Sequence, residues 1–206
     1  MSLRIGILGG AFDPVHLGHI QIAETVLRKK LVDKVWLLPC YQHMFGKNLT
    51  AAEHRFEMCK LAVQDIPDVE ASDLELANKF DGKAYDFITK FLYPNFPKPQ
   101  HQFHFIIGMD NALKIDKWYE SEKVREAIGF IVLPRVNGIS QVSNNWFDSW
   151  PHLLCTATIM DISSTKIRYW MSCYGRNGVE IARPYIDDKV ADYILQHRLY
   201  GLDNEN

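Results

Sequence analysis

The sequence predicts an α/β fold with a doubly wound parallel sheet. Apolar runs of strand length alternate along the chain with stretches of helical period, and the runs are continuously apolar, as in strands covered on both faces. Helical connections between such strands favour right-handed crossovers and parallel pairing. The length, 206 residues, suits one domain over 1–206 with a sizeable core.

Leu3 to Leu8 reads as the first strand, stopped by Gly9 and Gly10, and Ile20, Ala23, Leu27 and Leu31 follow at helical spacings of three and four. Val35 to Leu38 is a buried strand, and Ala52, Phe56, Cys59 and Val63 line one face of the next helix. Val69 to Ala71 is a short strand. Tyr85, Ile88 and Leu92 form a third helical stripe, ended by Pro94, Pro97 and Pro99 before a strand at Phe103 to Ile107. Val124, Ala127 and Ile128 mark another helix and Phe130 to Leu133 another strand. Asn137 to Pro151, with Trp146 and Trp150 among Asn, Ser and Gly, lacks periodicity and reads as a mobile surface loop. A last strand at Thr156 to Met160 precedes a C-terminal helical portion, about 163–206, with one helix starting near Ser163 and another over Asp187 to His197.

Charge narrows the partners. With 23 Lys plus Arg against 25 Asp plus Glu, and no long basic run, the chain lacks the electrostatic footprint of a nucleic-acid binder, so any nucleotide partner is small. Cys40, Cys59, Cys155 and Cys173 are widely spaced without a CxxC pair, as expected of reduced thiols in the cytoplasm. No apolar run reaches membrane-spanning length, and the first one meets glycines too soon for a signal core. Oligomeric state, a homo-oligomer included, is left open.

The most informative segment is Gly9-Gly10-Ala11-Phe12-Asp13-Pro14-Val15-His16-Leu17-Gly18-His19, between the first strand and the first helix, where open α/β sheets bind ligands. Glycines permit a tight turn and close backbone approach, and the following helix offers its positive end to an anion. His16 and His19, three apart, can face one ligand and stabilise charge on a phosphate in transfer; the alternative is that they cap the turn and pack. Two ligands with no Cys, Asp or Glu at suitable spacing leave a metal shell incomplete, so no protein metal site is expected. The glycine spacing fits neither GxGxxG nor a P-loop, which disfavours a nicotinamide-dependent oxidoreductase. A second signature, Ile162-Ser163-Ser164-Thr165-Lys166-Ile167-Arg168, opens a helix that Ser163 can cap, with Arg168 one turn after Ser164 and able to reach an anion. Alone, it is equally a routine cap with a solvated arginine.

Together, GGAFDPVHLGH and ISSTKIR resemble the paired signatures of the nucleotidylyltransferase α/β-phosphodiesterase superfamily, and within it the nicotinate/nicotinamide mononucleotide adenylyltransferases. Glu53-His54-Arg55, Ser72-Asp73-Leu74-Glu75, Ile106-Ile107-Gly108-Met109-Asp110, Lys117-Trp118-Tyr119 and Leu133-Pro134-Arg135 also look like family segments. The resemblance implies a Rossmann-like nucleotidylyltransferase fold and a reaction in which the phosphate of a pyridine mononucleotide attacks the α-phosphorus of ATP in line, expelling pyrophosphate. It implies ATP contacts at Gly9, Gly10, Ala11, His16, His19, Lys47, Gly108, Asp110, Ser163, Thr165 and Arg168, with His16, His19 and Arg168 catalytic. It also implies mononucleotide contacts at Ala11, Phe12, Tyr85, Asp86, Trp118 and Arg135. Mg²⁺ would accompany ATP, held mainly by phosphate and water.

Two positions depart from the family pattern. Ala11 stands where many relatives carry Thr or Ser, which leaves only backbone donors there. Asp86 replaces the threonine of a Tyr-Thr pair common in acid-preferring bacterial relatives. Two negative charges ~4 Å apart repel by about 1 kcal/mol in water and about 4 at a dielectric near 20, so Asp86 suggests a tilt towards the amide mononucleotide. The competing readings are a transferase of the same superfamily with another phosphorylated acceptor, and a non-catalytic nucleotide-binding protein.

Overall fold

The computed structural model describes residues 2–42, 46, 48–133 and 150–202. Six parallel strands, β1 (Leu3–Gly10), β2 (Lys34–Pro39), β3 (Val69–Ala71), β4 (His101–Gly108), β5 (Gly129–Leu133) and β6 (Leu153–Leu154), lie in the order β3-β2-β1-β4-β5-β6. The order reverses between β1 and β4, and such a switch point opens a crevice beyond the carboxyl ends of the strands. Gly9 and Gly10 end β1 there, and Gly108 ends β4 beside them.

Alternate side chains of each strand feed two cores. Leu8, Val35, Leu37, Ile106 and Ile131 pack with helices α1 (Leu17–Arg28) and α2 (Ala52–Val63) and with the C-terminal helices Ser164–Ala182 and Asp188–Gln196. Ile5, Ile7, Trp36, Phe105 and Val132 face the opposite core, with Phe87, Ile88, Leu92 and Val124 from the helical segments on that side. This double burial explains why the strands read as unbroken apolar runs. Among the described residues no helix is long and apolar enough to cross a membrane.

Two elements differ from expectation. The stripe through Tyr85 is not one α-helix: Ala84–Asp86 and Tyr93–Asn95 are α-helical turns around a π-helical Phe87–Leu92. Pro94 has no amide for the carbonyl four residues back, and the ladder widens ahead of it. The last strand is Leu153–Leu154 rather than Thr156 to Met160. The Cys155 amide still bonds the Val132 carbonyl at 2.9 Å, but the Met160 amide is taken by Gln21 Oε1 at 2.8 Å, so the chain leaves the sheet for α1. Most of the expected loop over Asn137 to Pro151 lies outside the described residues.

The long C-terminal helix breaks at Gly175, whose φ of 54° lies in the left-handed region open to glycine, and its two arms then meet at Gly178. A Cβ there would stand 2.1 Å from the Trp170 carbonyl oxygen, a backbone atom that cannot swing aside. Gly178→Ala is therefore expected to lower stability by about 1–3 kcal/mol in urea unfolding. Gly9→Ala, with nothing within 4 Å of the added carbon, should stay within about 0.5 kcal/mol. Equal midpoints for the two variants would contradict this packing.

Candidate active site

The turn after β1 is held by side chains from distant parts of the sequence. Phe12 has a φ of 48°, unusual for a bulky residue, yet its ring is 2% exposed and meets His19 edge-on at 4.9 Å. Packing of that kind is what lets a strained residue persist. The Ala11 carbonyl accepts from Arg55 Nη1 at 2.8 Å, and the Asp13 carbonyl accepts from Arg168 Nη1 at 2.6 Å, across 155 positions of sequence. Ser164 adds a hydroxyl donated to the Pro14 carbonyl at 2.8 Å, and Ile162 packs where a Cβ on Gly18 would stand. The two signature segments thus form one surface.

Arg55 is 1% exposed and spends its guanidinium on backbone: Nε donates to Thr50, Nη1 to Ala11, and Nη2 to Cys40 and Tyr41. It therefore joins the end of β2 to the turn after β1. The Asp13 carboxylate, 3% exposed, accepts the Tyr200 hydroxyl at 2.8 Å and the Thr50 amide at 3.2 Å. The C-terminus thereby braces the same turn.

His16 is the N-cap residue of α1, and its backbone N–H donates to Nδ1 of His19 at 3.2 Å, which leaves the proton of neutral His19 on Nε2. The two rings stack at 3.7 Å, and Nδ1 of His16 is buried without a hydrogen-bond partner among the described residues. Burial pushes the His16 pKa down to about 4, and burial together with the His16 charge holds His19 well below its usual range. Both rings are consequently neutral near pH 7 in the free protein. A polyanion placed against them would draw them towards the charged form.

The remaining expected contacts divide by location. Ser163 caps its helix, its oxygen accepting from the Lys166 amide at 3.3 Å, and it is exposed beside Thr165, whose hydroxyl meets Arg168 Nη2 at 3.5 Å. Gly108 has open space around it at the end of β4, and Asp110 is exposed in the short helical turn that follows. Trp118 lines a cavity of about 220 Å³ together with Gly9, Gly10, Ala11, Asn111 and Glu75. Tyr85 and Asp86 do not line it; their neighbours Ala84 and Phe87 do. Instead, Lys123 lies over the Tyr85 ring, and the Asp86 carboxylate pairs with Lys90 at 2.9 Å. Lys47 and Arg135 lie outside the described residues. A second cavity, about 410 Å³, is bounded by Tyr41, Gln42 and the start of α2; neither histidine lines either cavity, but Gly9, Gly10 and Ala11 of the first motif line only the smaller one, which joins it to the motif chemistry.

Four residues inside the quoted segments receive no role from the motif reading: Arg55, Asp13 as a brace, Ser164 and Glu75. Arg55 carried a signal, since it interrupts the apolar stripe of α2. The Glu75 carboxyl is raised to about 7 by burial, against a smaller opposing effect of the Tyr41 amide.

A family model described as cytidylyltransferase-like matches residues 7–169, and the chain belongs to that family of nucleotidyltransferases. Proteins named probable nicotinate-nucleotide adenylyltransferase from Oceanobacillus iheyensis and Hydrogenobaculum are 34% and 35% identical over 201 residues, covering 96% and 97% of this chain and 97% and 99% of theirs. The chain is therefore a member of the nicotinate/nicotinamide mononucleotide adenylyltransferases. The fold matches that of a Plasmodium falciparum nicotinic acid mononucleotide adenylyltransferase complexed with NaAD, at a TM-score of 0.80 and 24% identity over 98% of this chain and 100% of that one.

Tyr200→Phe removes the hydroxyl donor to a buried carboxylate while keeping the ring. Urea unfolding is expected to show a loss of about 1–3 kcal/mol. An unchanged midpoint would mean that the Asp13 brace is not built as described.

Proposed function

We propose that the enzyme joins ATP to a pyridine mononucleotide, giving the dinucleotide and pyrophosphate by direct in-line attack of the mononucleotide phosphate on the α-phosphorus. The observation that carries this reading is the 2.6 Å bond from Arg168 to the Asp13 carbonyl, because it brings the ISSTKIR segment against the histidine loop so that both can grip one triphosphate. His16 and His19 meet the ATP phosphates near the reacting phosphorus. Ser163, Thr165 and the free face of Arg168 hold the outer phosphates, and Gly108 and Asp110 meet the adenosine ribose.

The nucleophile is a phosphate oxygen already charged at neutral pH, so no general base is required. Rate comes from alignment and from neutralising crowded negative charge. The neutral, poorly solvated histidines suit that task, because they gain positive character as charge arrives. Mg²⁺ enters with ATP. On this reading the ion is held mainly by phosphate and water.

The pyridine ring takes the cavity beside Trp118, and backbone at Ala11 and Phe12 meets the mononucleotide. We favour the acid substrate: the relatives compared above are named for nicotinate nucleotide. The amide tilt expected from Asp86 loses its physical basis, since Lys90 compensates that carboxylate outside the cavity. All four cysteines are unpaired, which supports a reducing, cytoplasmic setting.

The test is pyrophosphate release from ATP, Mg²⁺ and nicotinate mononucleotide. His16→Ala and His19→Ala are each expected to lower kcat at least about tenfold in folded protein. Near-normal turnover in both variants would remove the histidines from the mechanism. No release by the wild-type protein with either mononucleotide would leave a different acceptor or a non-catalytic binder.

A further inference from the structure

Glu75 lies in the helical turn Leu74–Ala77, 9% exposed, and is the one carboxylic side chain lining the Trp118 cavity among the described residues. Its surroundings there are apolar or uncharged: Gly10, Ala84, Phe87, Phe105, Asn111 and Trp118. The hydrogen bond it accepts, from the Tyr41 amide to Oε2, is long at 3.4 Å. Such a carboxyl keeps most of its hydrogen-bonding capacity for a guest. Among the described residues the elements around it bring few other charges. Arg55 of α2 favours its ionised form and Asp81 opposes it, with Asp81 itself paired to Lys83, while Cys40 at the end of β2 is a thiol that burial keeps protonated.

We propose that the Glu75 carboxyl reads the 3-substituent of the pyridine ring, favouring the acid mononucleotide when it is protonated and the amide when it is ionised. The inference rests on the reading of this cavity as the pyridine site. A protonated Glu75 donates O–H to the substrate carboxylate, a charge-assisted bond, and the two carboxyl groups share one proton. An ionised Glu75 repels that carboxylate and instead accepts N–H from a carboxamide. Burial places the change between these states near neutral pH.

The readout is the ratio of kcat/KM for nicotinate mononucleotide to that for nicotinamide mononucleotide, measured from about pH 6 to about pH 8.5. Titration of the phosphate, of ATP and of His16 and His19 acts on both substrates and cancels in the ratio. The substrate carboxylate is ionised throughout, and the carboxamide does not titrate. A change in the ratio therefore reports a protein group at the ring. Wild-type enzyme is expected to lose about tenfold in the ratio as pH rises over this range. Glu75→Gln, which keeps the shape without the titration, is expected to give a flat ratio.

A flat wild-type ratio overturns the proposal without any variant, even if Glu75→Gln fails to fold. An equal slope in Glu75→Gln overturns it as well, because another group would then be responsible. Turnover of both mononucleotides with a flat ratio leaves the adenylyltransferase reading intact and removes only Glu75 from specificity. Turnover of neither removes both.

Discussion

Two guanidinium groups tied to the carbonyls of a single turn hold the site together. Arg55 fixes Ala11 from the β2 side and Arg168 fixes Asp13 from the C-terminal helix, so the strained Phe12 between them has nowhere to relax. Hydrogen bonds from charged donors contribute about 1.5–3 kcal/mol each, so the two together offset the cost of one unfavourable φ, about 1–3 kcal/mol. The turn would otherwise be a flexible glycine-containing loop at the edge of a sheet. Held this way, it presents His16 and His19 in one place.

Electrostatics follows from the same clamp. Burial that fixes the rings also keeps them neutral, and their stacking at 3.7 Å disfavours charging both at once. Among the described residues His16 Nδ1 has no hydrogen-bond partner. The sheet contributes by placing Gly9, Gly10 and Gly108 at the switch point, where backbone can approach a ligand closely.

Most of the fold was legible in the sequence because the strands are buried on both faces, which leaves a signal in every apolar run. Legibility failed where local pattern was overruled from outside. Thr156 to Met160 has the composition of a strand, but Gln21 captures the Met160 amide. The stripe at Tyr85 has helical spacing, and only the ladder reveals its π-helical middle. At the site, the histidine and ISSTKIR segments stood out by their motifs. The contacts that join them run to backbone carbonyls and leave no side-chain pattern to read. Asp86 was legible as a charge, but its pairing with Lys90 one turn away was not. Glu75 gave no sign of its burial, since three of its four nearest sequence neighbours, Leu74, Leu76 and Ala77, suit an ordinary amphipathic turn.

The most direct measurement is a crystal structure with a non-hydrolysable ATP analogue and Mg²⁺. One triphosphate should lie within hydrogen-bond reach of His19 and of Arg168 at once, with the Arg168 bond to the Asp13 carbonyl intact. A triphosphate bound by only one of the two segments, or an Arg168 that swings away from Asp13 on binding, would contradict the single clamped site.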